Sequence, residues 1–393
     1  MKAVAALALL TLAACIVACT DAPKPGITLW HSYSGAERTA LETSAAHWNT
    51  DHPDLPLMLV AMPHDGFADK VTSAIPGGNG PDLFIYAHDR VGAWAEAGVL
   101  EPIEFYVDDA RADRFSADAI DRLAYHGSLW GLPLTQKALV LYYRTDLVAT
   151  APATTDDLVK LAPKMKERDG FAFAYSNVDL YGHAPWLHAF GGTVMDDTGT
   201  LAIASPEAAN AMAFARDLVA TGVVPANADN PLEASLFNAG RVAAVMSGPW
   251  FATDIRKDVP WAVATLPIVS PTGRPAAPYF STEGVLMSAR ARDKDAAFAV
   301  MDALTSDAAA VTRAQIARQV VPNVHAWDDA KVAADPFLRV FRAQIAQSVP
   351  MPKTPVMRMV WTPYADALGE VISGRAEPGA KLNALQDAIQ KLK

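Results

Sequence analysis

The sequence predicts an α/β fold with mostly parallel strands. Short apolar segments alternate with longer segments whose apolar residues recur at helical spacing, which is typical of strand–helix–strand units. The 393 residues are 51% hydrophobic, and at about 150 residues per domain the chain is long enough for two or three lobes. Lys and Arg number 33 against 43 Asp and Glu, and the net charge of −10 argues against nucleic-acid binding, which needs a basic face.

The predicted strands and the segments that follow them define candidate binding regions. A strand is expected at 27–30, with others at 57–60, 83–86 and 242–246. Ser34 and Glu37 have the spacing of a capping box, which predicts a helix after the first strand. Ligands of parallel α/β sheets bind beyond the carboxyl ends of strands. The candidate regions are therefore 31–35, 86–90 and 247–250.

Helical periodicity also covers three later segments, at 206–221, 294–303 and 381–391. The first begins with Ser205 and Pro206, a good N-cap followed by proline at the first helical position. The segment 266–278 is rich in Pro and Gly, which favours a connection between lobes.

The first residues have the pattern of an export signal. Lys2 supplies one positive charge, and residues 3–18 carry no charge and are fewer than the ~20 that a membrane-spanning helix needs. The segment ends Ile16-Val17-Ala18-Cys19, which resembles the bacterial lipoprotein processing motif. On that resemblance residues 1–18 are removed and Cys19 carries lipid. Cys15 fits the same pattern, and an ordinary secretion signal with an incidental cysteine is the alternative.

The sequence contains few of the patterns that mark catalytic or metal sites. Both cysteines lie in the export segment, so the rest of the chain has no disulfide and no thiolate nucleophile. There is no phosphate-binding loop and no Gly-x-Ser-x-Gly motif, and the nine histidines show no metal-ligand spacing. We expect neither a metal nor a cofactor. A glycosidase needs two carboxyl groups about 5 to 9.5 Å apart, a distance that no sequence pattern fixes.

Three blocks of sequence, at 80–90, 237–250 and 351–361, resemble the maltose/maltodextrin-binding proteins of ABC importers. The first reads Gly-Pro-Asp-Leu-Phe-Ile-Tyr-Ala-His-Asp-Arg, the second ends in Ser-Gly-Pro-Trp, and the third begins Met-Pro-Lys-Thr-Pro. Their order and separation fit this family over about residues 26 to 391. The resemblance implies a two-lobed periplasmic binding protein fold in which a hinge lets both lobes close over a ligand. The expected N-terminal lobe comprises residues 19–135 and 285–330, and the C-terminal lobe comprises 136–284 and 331–393.

The same resemblance implies which residues bind a sugar. Aromatic rings bury the apolar faces of pyranose rings, and ionised side chains hydrogen-bond their hydroxyl groups. Tyr86 matches an aromatic position of the family, and Asp89 with Arg90 matches its hydroxyl-binding pair. Trp250 and Trp361 match positions at which tryptophan stacks on sugar. The alternative is a surface ion pair for the first group and core packing for the tryptophans.

Three further matches lie in the C-terminal lobe, and one position departs from the family pattern. Asp179 and Tyr181 fall on a ligand-binding Glu and a stacking Tyr of the family, and Met351 falls on a cleft-lining Met. Lys137 falls where the family has a sugar-binding Glu. It is expected to donate to sugar hydroxyls, to bind a negative group of the ligand, or to pair with a carboxylate such as Asp179 and leave the ligand alone.

The expected protein is a lipid-anchored, monomeric binding protein and not an enzyme. It is exported to the periplasm or cell surface, captures a malto-oligosaccharide or related glucoside, and delivers it to a membrane permease. One alternative is a carrier of a phosphorylated or acidic sugar, or of glycerol phosphate, that uses Lys137. Others are a secreted glycoside hydrolase and a tethered sugar sensor that docks on a receptor.

Overall fold

A computed structural model describes residues 26–196 and 199–391. The export segment with Cys15 and Cys19 therefore lies outside the described residues. Within the described ranges, none of the helices has the length and apolar character that crossing a bilayer would take.

The strands are short, apart from β6 (Gly131–Lys137) and β13 (Tyr279–Met287), which lie where the chain passes between the halves of the molecule. In chain order they are β1 (Ile27–His31), β2 (Leu57–Ala61), β3 (Leu83–Ala87), β4 (Ala124–Tyr125), β5 (Ser128–Leu129), β6 (Gly131–Lys137), β7 (Val140–Arg144), β8 (Phe171–Tyr175), β9 (Val242–Ser247), β10 (Trp261–Ala264), β11 (Ile268–Val269), β12 (Arg274–Pro275), β13 (Tyr279–Met287) and β14 (Val349–Pro350).

The helices connect these strands and cover the sheets. In chain order they are α1 (Gly35–Asp51), α2 (Phe67–Ala74), α3 (Val91–Glu96), α4 (Asp109–Ala112), α5 (Ala117–Leu123), α6 (Thr155–Lys166), α7 (Leu180–Phe190), α8 (Pro206–Ala220), α9 (Asn230–Asn238), α10 (Lys294–Leu304), α11 (Asp307–Ala317), α12 (Ala330–Ala334), α13 (Pro336–Ile345), α14 (Trp361–Ile372) and α15 (Pro378–Gln390).

Two main sheets organise the fold. The first has the order β14-β13-β3-β1-β2, with β6 also paired to β13, and the second has the order β10-β7-β9-β8. Strands β1, β2 and β3 are parallel, as are β8 and β9, whereas β13 runs antiparallel to β3 and β6. Because the parallel strands of each sheet end at one edge, side chains that follow them collect there.

Strand β13 belongs to both halves of the molecule. Its first residue, Tyr279, is buried in the hydrophobic core beside the second sheet, together with residues of α7, α8 and α14. Its last residues, Val285 to Met287, are buried in the core of the first sheet with β1, β3 and α10. The register of β13 against β6 shifts between Glu283 and Gly284, so an irregularity lies midway between the two cores.

The chain passes from the first sheet to the second directly between β6 and β7. Lys137 is the last residue of β6, and Val140 is the first residue of β7. Both strands are almost entirely buried, so their backbone polar groups must be paired within the protein. Lys137 therefore sits at the junction of the two halves.

The predicted strands and helices are confirmed to within a few residues. The helix α8 begins at Pro206, and the hydroxyl of Ser205 accepts a hydrogen bond from the backbone N–H of Ala208, as the sequence predicts. The helix α15 starts at Pro378, before the predicted residue 381.

The capping box predicted at the start of α1 is wrong. Ser34 is the N-cap by position, but its side chain makes no capping hydrogen bond. The carboxylate of Glu37 turns instead toward Lys137 and the side-chain amide of Gln319. A buried ammonium is a stronger partner for a carboxylate than an exposed backbone N–H, and this competition explains the outcome.

The segment 266–278 lies between strands of the two sheets in chain order, but it is not a simple linker. It folds into a two-stranded antiparallel hairpin of β11 and β12. The hydroxyl of Thr155, at the start of α6, donates to the hydroxyl of Ser270. This contact holds the hairpin against the half of the molecule that contains the second sheet.

Candidate functional site

A small pocket lies beyond the carboxyl ends of β8 and β9, beside the N-termini of α7 and α9. Its volume is about 60 Å³. The residues that shape it are Asp179, Tyr181, Asn230, Glu233, Ser247 and Trp250. This is the place where parallel α/β sheets bind ligands, because strand ends and helix N-termini leave polar groups directed at one point.

Asp179 forms the N-cap of α7. One carboxylate oxygen accepts from the backbone N–H of Gly182 at 2.6 Å, and the other accepts from the hydroxyl of Ser176. Burial raises the pKa of Asp179, although these two hydrogen bonds act in the opposite direction. The capping role fixes the first turn of α7 and so fixes the adjacent Tyr181.

Tyr181 and Trp250 lie side by side at the pocket. Their ring centroids are 6.4 Å apart with the planes tilted by 39°, and both rings are only partly buried against the core of the second half. Gly248 makes the position of Trp250 possible, because a Cβ at residue 248 would lie 2.1 Å from a carbon of the indole. The indole thus rests on bare backbone, with one side toward the pocket.

Tyr86, Asp89 and Arg90 come from the other half, at the end of β3. Tyr86 is surrounded by aromatic rings, with its centroid 5.7 Å from that of Phe67 and 5.1 Å from that of Trp94. His64 is also parallel to the Tyr86 ring, with centroids 6.2 Å apart. These rings pack around Tyr86, which stays half-buried.

Asp89 is buried and Arg90 is half-buried, so the two do not form a surface ion pair. Asp89 is 9% exposed, and its carboxylate lies 3.8 Å from Nε of Arg90. Burial raises the pKa of Asp89 to about 7, and the charge of Arg90 opposes that rise. The Nε atom of Arg90 is buried without a hydrogen-bond partner in the described part of the chain. Both groups therefore keep capacity to bind a further polar molecule.

Lys137 lies between two carboxylates. Its Nζ atom is 3.0 Å from Glu37 and 3.1 Å from Glu283. The hydroxyl of Tyr33 donates to Glu283 at 2.8 Å, and its ring faces the ammonium. Burial lowers the pKa of Lys137, but the charges of Glu283 and Glu37 outweigh this effect and raise it above the ordinary value.

This geometry identifies the ion-pair partners of Lys137. The ammonium pairs with carboxylates, as the third alternative anticipates, but the partners are Glu37 and Glu283 and not Asp179. We call Lys137, Glu37 and Glu283 the ion cluster. Because it holds two negative charges and one positive charge, it does not present an uncompensated cation to the space beside it.

Met351 and Trp361 belong to the C-terminal segment that returns to the junction. Met351 is buried, and its carbonyl accepts a hydrogen bond of 2.8 Å from Nε2 of His88, directly before Asp89. The other ring nitrogen of His88 accepts from the backbone N–H of Thr282. Trp361 is the first residue of α14 and packs, partly exposed, on the same core as Tyr181 and Trp250.

Electrostatic effects link the residues of the two halves. Burial raises the pKa of Tyr181, and the charges of Lys137, Glu283 and Asp89 also act on this phenol. Burial likewise raises the pKa of Tyr86, with contributions from Asp89 and Glu283. The charges of Glu283 and Asp89 therefore act on the phenols of both halves.

Three residues of this region were not identified from the sequence pattern. Glu37 was assigned to a helix cap, Glu283 is a single carboxylate within the apolar strand β13, and Glu233 is a buried carboxyl group in the first turns of α9. An isolated charge inside an apolar strand is the one signal that points to such a group, because burial of a charge requires a partner.

Comparison with known proteins gives a consistent result over nearly the whole chain. The family model for bacterial extracellular solute-binding proteins matches residues 34–311. The maltotriose-binding protein of Pyrococcus abyssi is 28% identical over 376 residues, which cover 93% of this chain and 82% of that protein. A maltooligosaccharide ABC transporter solute-binding lipoprotein of Streptococcus pneumoniae is 25% identical over 342 residues, covering 84% of this chain and 79% of that protein.

A solved structure gives the same assignment. The maltotriose-binding protein of Thermus thermophilus, bound with maltotriose, superposes with a TM-score of 0.85 at 26% identity, covering 93% of this chain and 99% of that chain. This match confirms the expected two-lobed α/β fold and the resemblance based on the three sequence blocks. The relatives are named as binding proteins rather than enzymes, and the family is an extracellular one, in agreement with export. The chain belongs to the bacterial extracellular solute-binding protein family.

Proposed function

We propose that this protein captures a malto-oligosaccharide or a related glucoside in a cleft between its two lobes and delivers it to the permease of an ABC transporter. The lobes comprise residues 19–135 with 285–330, and 136–284 with 331–393. Relatives named for binding maltotriose and malto-oligosaccharides support this ligand class. Ligand contacts with both lobes would favour the closed form over the open form.

The observation that carries the proposal is the pairing of partly exposed rings with buried polar groups at one pocket. Tyr181 and Trp250 offer an apolar surface beside the carboxyl group of Asp179. This combination suits a pyranose, whose C–H faces are apolar and whose rim carries hydroxyl groups. Trp361 and Met351, which belong to the same hydrophobic core, would add to this surface from the C-terminal segment.

The N-terminal lobe would contribute polar contacts. Asp89 and Arg90 have hydrogen-bonding capacity that the protein itself does not use fully. Tyr86 would contribute its hydroxyl group more than its ring face, because neighbouring rings cover that face.

The ion cluster supports a neutral ligand over a phosphorylated or acidic sugar or glycerol phosphate. Lys137 is already paired with Glu37 and Glu283, so an anionic group beside it would meet net negative charge. In this proposal Lys137 holds β6 and β13 together through its ion pairs. Any contact of Lys137 with the ligand is made while it stays paired with Glu37 and Glu283.

We infer that the protein has no hydrolytic activity. A glycoside hydrolase would need two carboxyl groups free to act on the substrate. Asp179 and Glu233 line one pocket, but both oxygens of Asp179 are occupied by Gly182 and Ser176. Prolonged incubation with maltodextrin should release no reducing ends, and measurable release would favour the hydrolase.

We also infer that the mature protein is a monomer anchored by lipid on Cys19 outside the cytoplasm. A Cys19→Ser variant should move from the detergent-extracted membrane fraction to the soluble exported fraction. If Cys15 is the processed residue instead, Cys15→Ser will move the protein to the soluble fraction and Cys19→Ser will not.

Calorimetry with maltotriose tests the binding function directly. The unsubstituted protein should bind, and Trp250→Ala should weaken binding by about 5- to 150-fold, since loss of a stacked ring removes about 1–3 kcal/mol. Trp261→Phe is the matched control, because Trp261 packs on Tyr142 and Phe337 away from the pocket. Unchanged affinity in Trp250→Ala would contradict the assignment of the cleft.

A further inference from the structure

Glu233 has no structural role that explains its burial. It lies in the first turns of α9 with 0% exposure, and neither carboxyl oxygen makes a hydrogen bond of normal geometry to the described residues, although the hydroxyl of Ser247 is close enough to lower its pKa. The N-cap of the helix is Asp229, which accepts from the backbone N–H of Leu232, so Glu233 is not needed for capping. Natural proteins keep few such groups, because a buried polar atom without a partner is costly.

The space that Glu233 faces is large enough for part of a ligand. Glu233 lines the pocket of about 60 Å³ that Asp179, Tyr181 and Trp250 also line. A single water needs about 10–15 Å³ of such space, so the pocket can take a hydroxyl-bearing portion of a sugar ring. A hydroxyl-bearing ligand in this pocket would supply the donors that the carboxyl group of Glu233 lacks.

The charge of the pocket selects the chemistry of that ligand portion. Its described lining contains two carboxyl groups and no Lys, Arg or His. Burial and the charge of Asp179 raise the pKa of Glu233 to about 8, with Ser247 acting in the opposite direction. Near neutral pH the group therefore holds a proton for much of the time, and it can both donate to and accept from hydroxyl groups. A phosphate or a carboxylate would find no cation in this described lining and would meet repulsion from Asp179 and from the ionised fraction of Glu233.

We propose that Glu233 is a ligand-binding and specificity-determining residue that hydrogen-bonds hydroxyl groups of a neutral sugar unit lying against Trp250, and that it excludes phosphorylated and uronic sugars from this subsite. The inference rests on the proposed binding of a malto-oligosaccharide. It adds the residue that recognises the sugar unit bound in the C-terminal lobe. Asn230, one turn earlier on α9, adds a neutral amide to the same lining.

Calorimetry with maltotriose at pH 7.5 tests the role of Glu233. Glu233→Ala should bind about 10-fold more weakly than the unsubstituted protein, since the hydroxyl groups lose their partner. Glu233→Gln, which keeps a donor and an acceptor, should stay within about 3-fold. Glu207→Gln is the matched control, because Glu207 occupies the first turn of α8 and is exposed. Normal maltotriose affinity in Glu233→Ala would overturn the inference.

A second measurement needs no variant at position 233. In competition with maltotriose for the unsubstituted protein, maltotriose phosphorylated on a terminal glucose should bind about 10-fold more weakly or worse, because the described lining of the pocket offers the phosphate no cation and Asp179 repels it. Equal or tighter binding of the phosphorylated sugar would overturn the inference even if Glu233→Ala does not fold. Failure of the unsubstituted protein to bind maltotriose would instead refute the proposed function.

Discussion

Replacement of Lys137 by methionine should destabilise the protein strongly. The Nζ atom lies 3.0 Å from Glu37 and 3.1 Å from Glu283, and the three side chains are only 11% to 15% exposed. Methionine fills a similar volume but leaves two carboxylates facing each other without a counterion. Removal of one partner from a buried ion pair costs about 3–5 kcal/mol. Because these side chains keep some exposure, we expect a loss near the lower end of that range.

Urea unfolding followed by circular dichroism measures this loss. At pH 7.5 the unfolding midpoint of Lys137→Met should fall in proportion to the lost free energy. Lys160→Met is the control, since Lys160 also pairs with a carboxylate, that of Asp157, but is 73% exposed. An exposed pair contributes at most about 1 kcal/mol, so the control midpoint should barely move.

A double variant separates a charge effect from a packing effect. Lys137→Met combined with Glu283→Gln keeps the methionine but removes one of the two carboxylate charges that face each other. The double variant should therefore recover part of the midpoint that Lys137→Met loses. A loss below about 1 kcal/mol in Lys137→Met at pH 7.5, or no recovery in the double variant, would refute the reasoning.

Three further perturbations follow from the geometry of the site. Gly248→Ala should weaken maltotriose binding by about 10-fold and alter the tryptophan emission, because the new Cβ displaces the Trp250 indole. Unchanged emission together with full affinity would contradict this prediction. Asp89→Asn should also weaken binding, by about 10-fold in calorimetry, through loss of a charged acceptor. Burial lowers the pKa of His88 to about 4, so the unfolded chain takes up a proton near pH 6.5 that the folded protein resists. The unfolding free energy should accordingly fall between pH 6.5 and 5 by about 1 kcal/mol or more, with a smaller fall in His88→Gln.

Much of the fold could be predicted because its signals are local. The apolar segments that became β1, β3 and β9 are short, and the N-cap and proline at the start of α8 act within a few residues. The position of aromatic and polar residues after strand ends could also be predicted, because parallel strands bring their carboxyl ends to one edge of the sheet.

The polar partners could not be predicted, because they are set by contacts between distant segments. Glu37 has the local spacing of a capping box, yet its partner is Lys137, a hundred residues later in the sequence. Asp179 is placed by a family match, but its cap of α7 is visible only in the structure. Glu233 lies on an ordinary amphipathic helix, and its burial depends on how α9 docks beside β9.

The register shift in β13 falls at Glu283, the residue that joins the ion cluster to both halves of the protein. A strand bends most easily at such an irregularity. Any rotation of one core relative to the other would then change the distance between Glu283 and Lys137. The energy of opening would include the energy of separating these charges, so substitutions in the cluster should alter how readily the empty protein closes, even without touching the sugar.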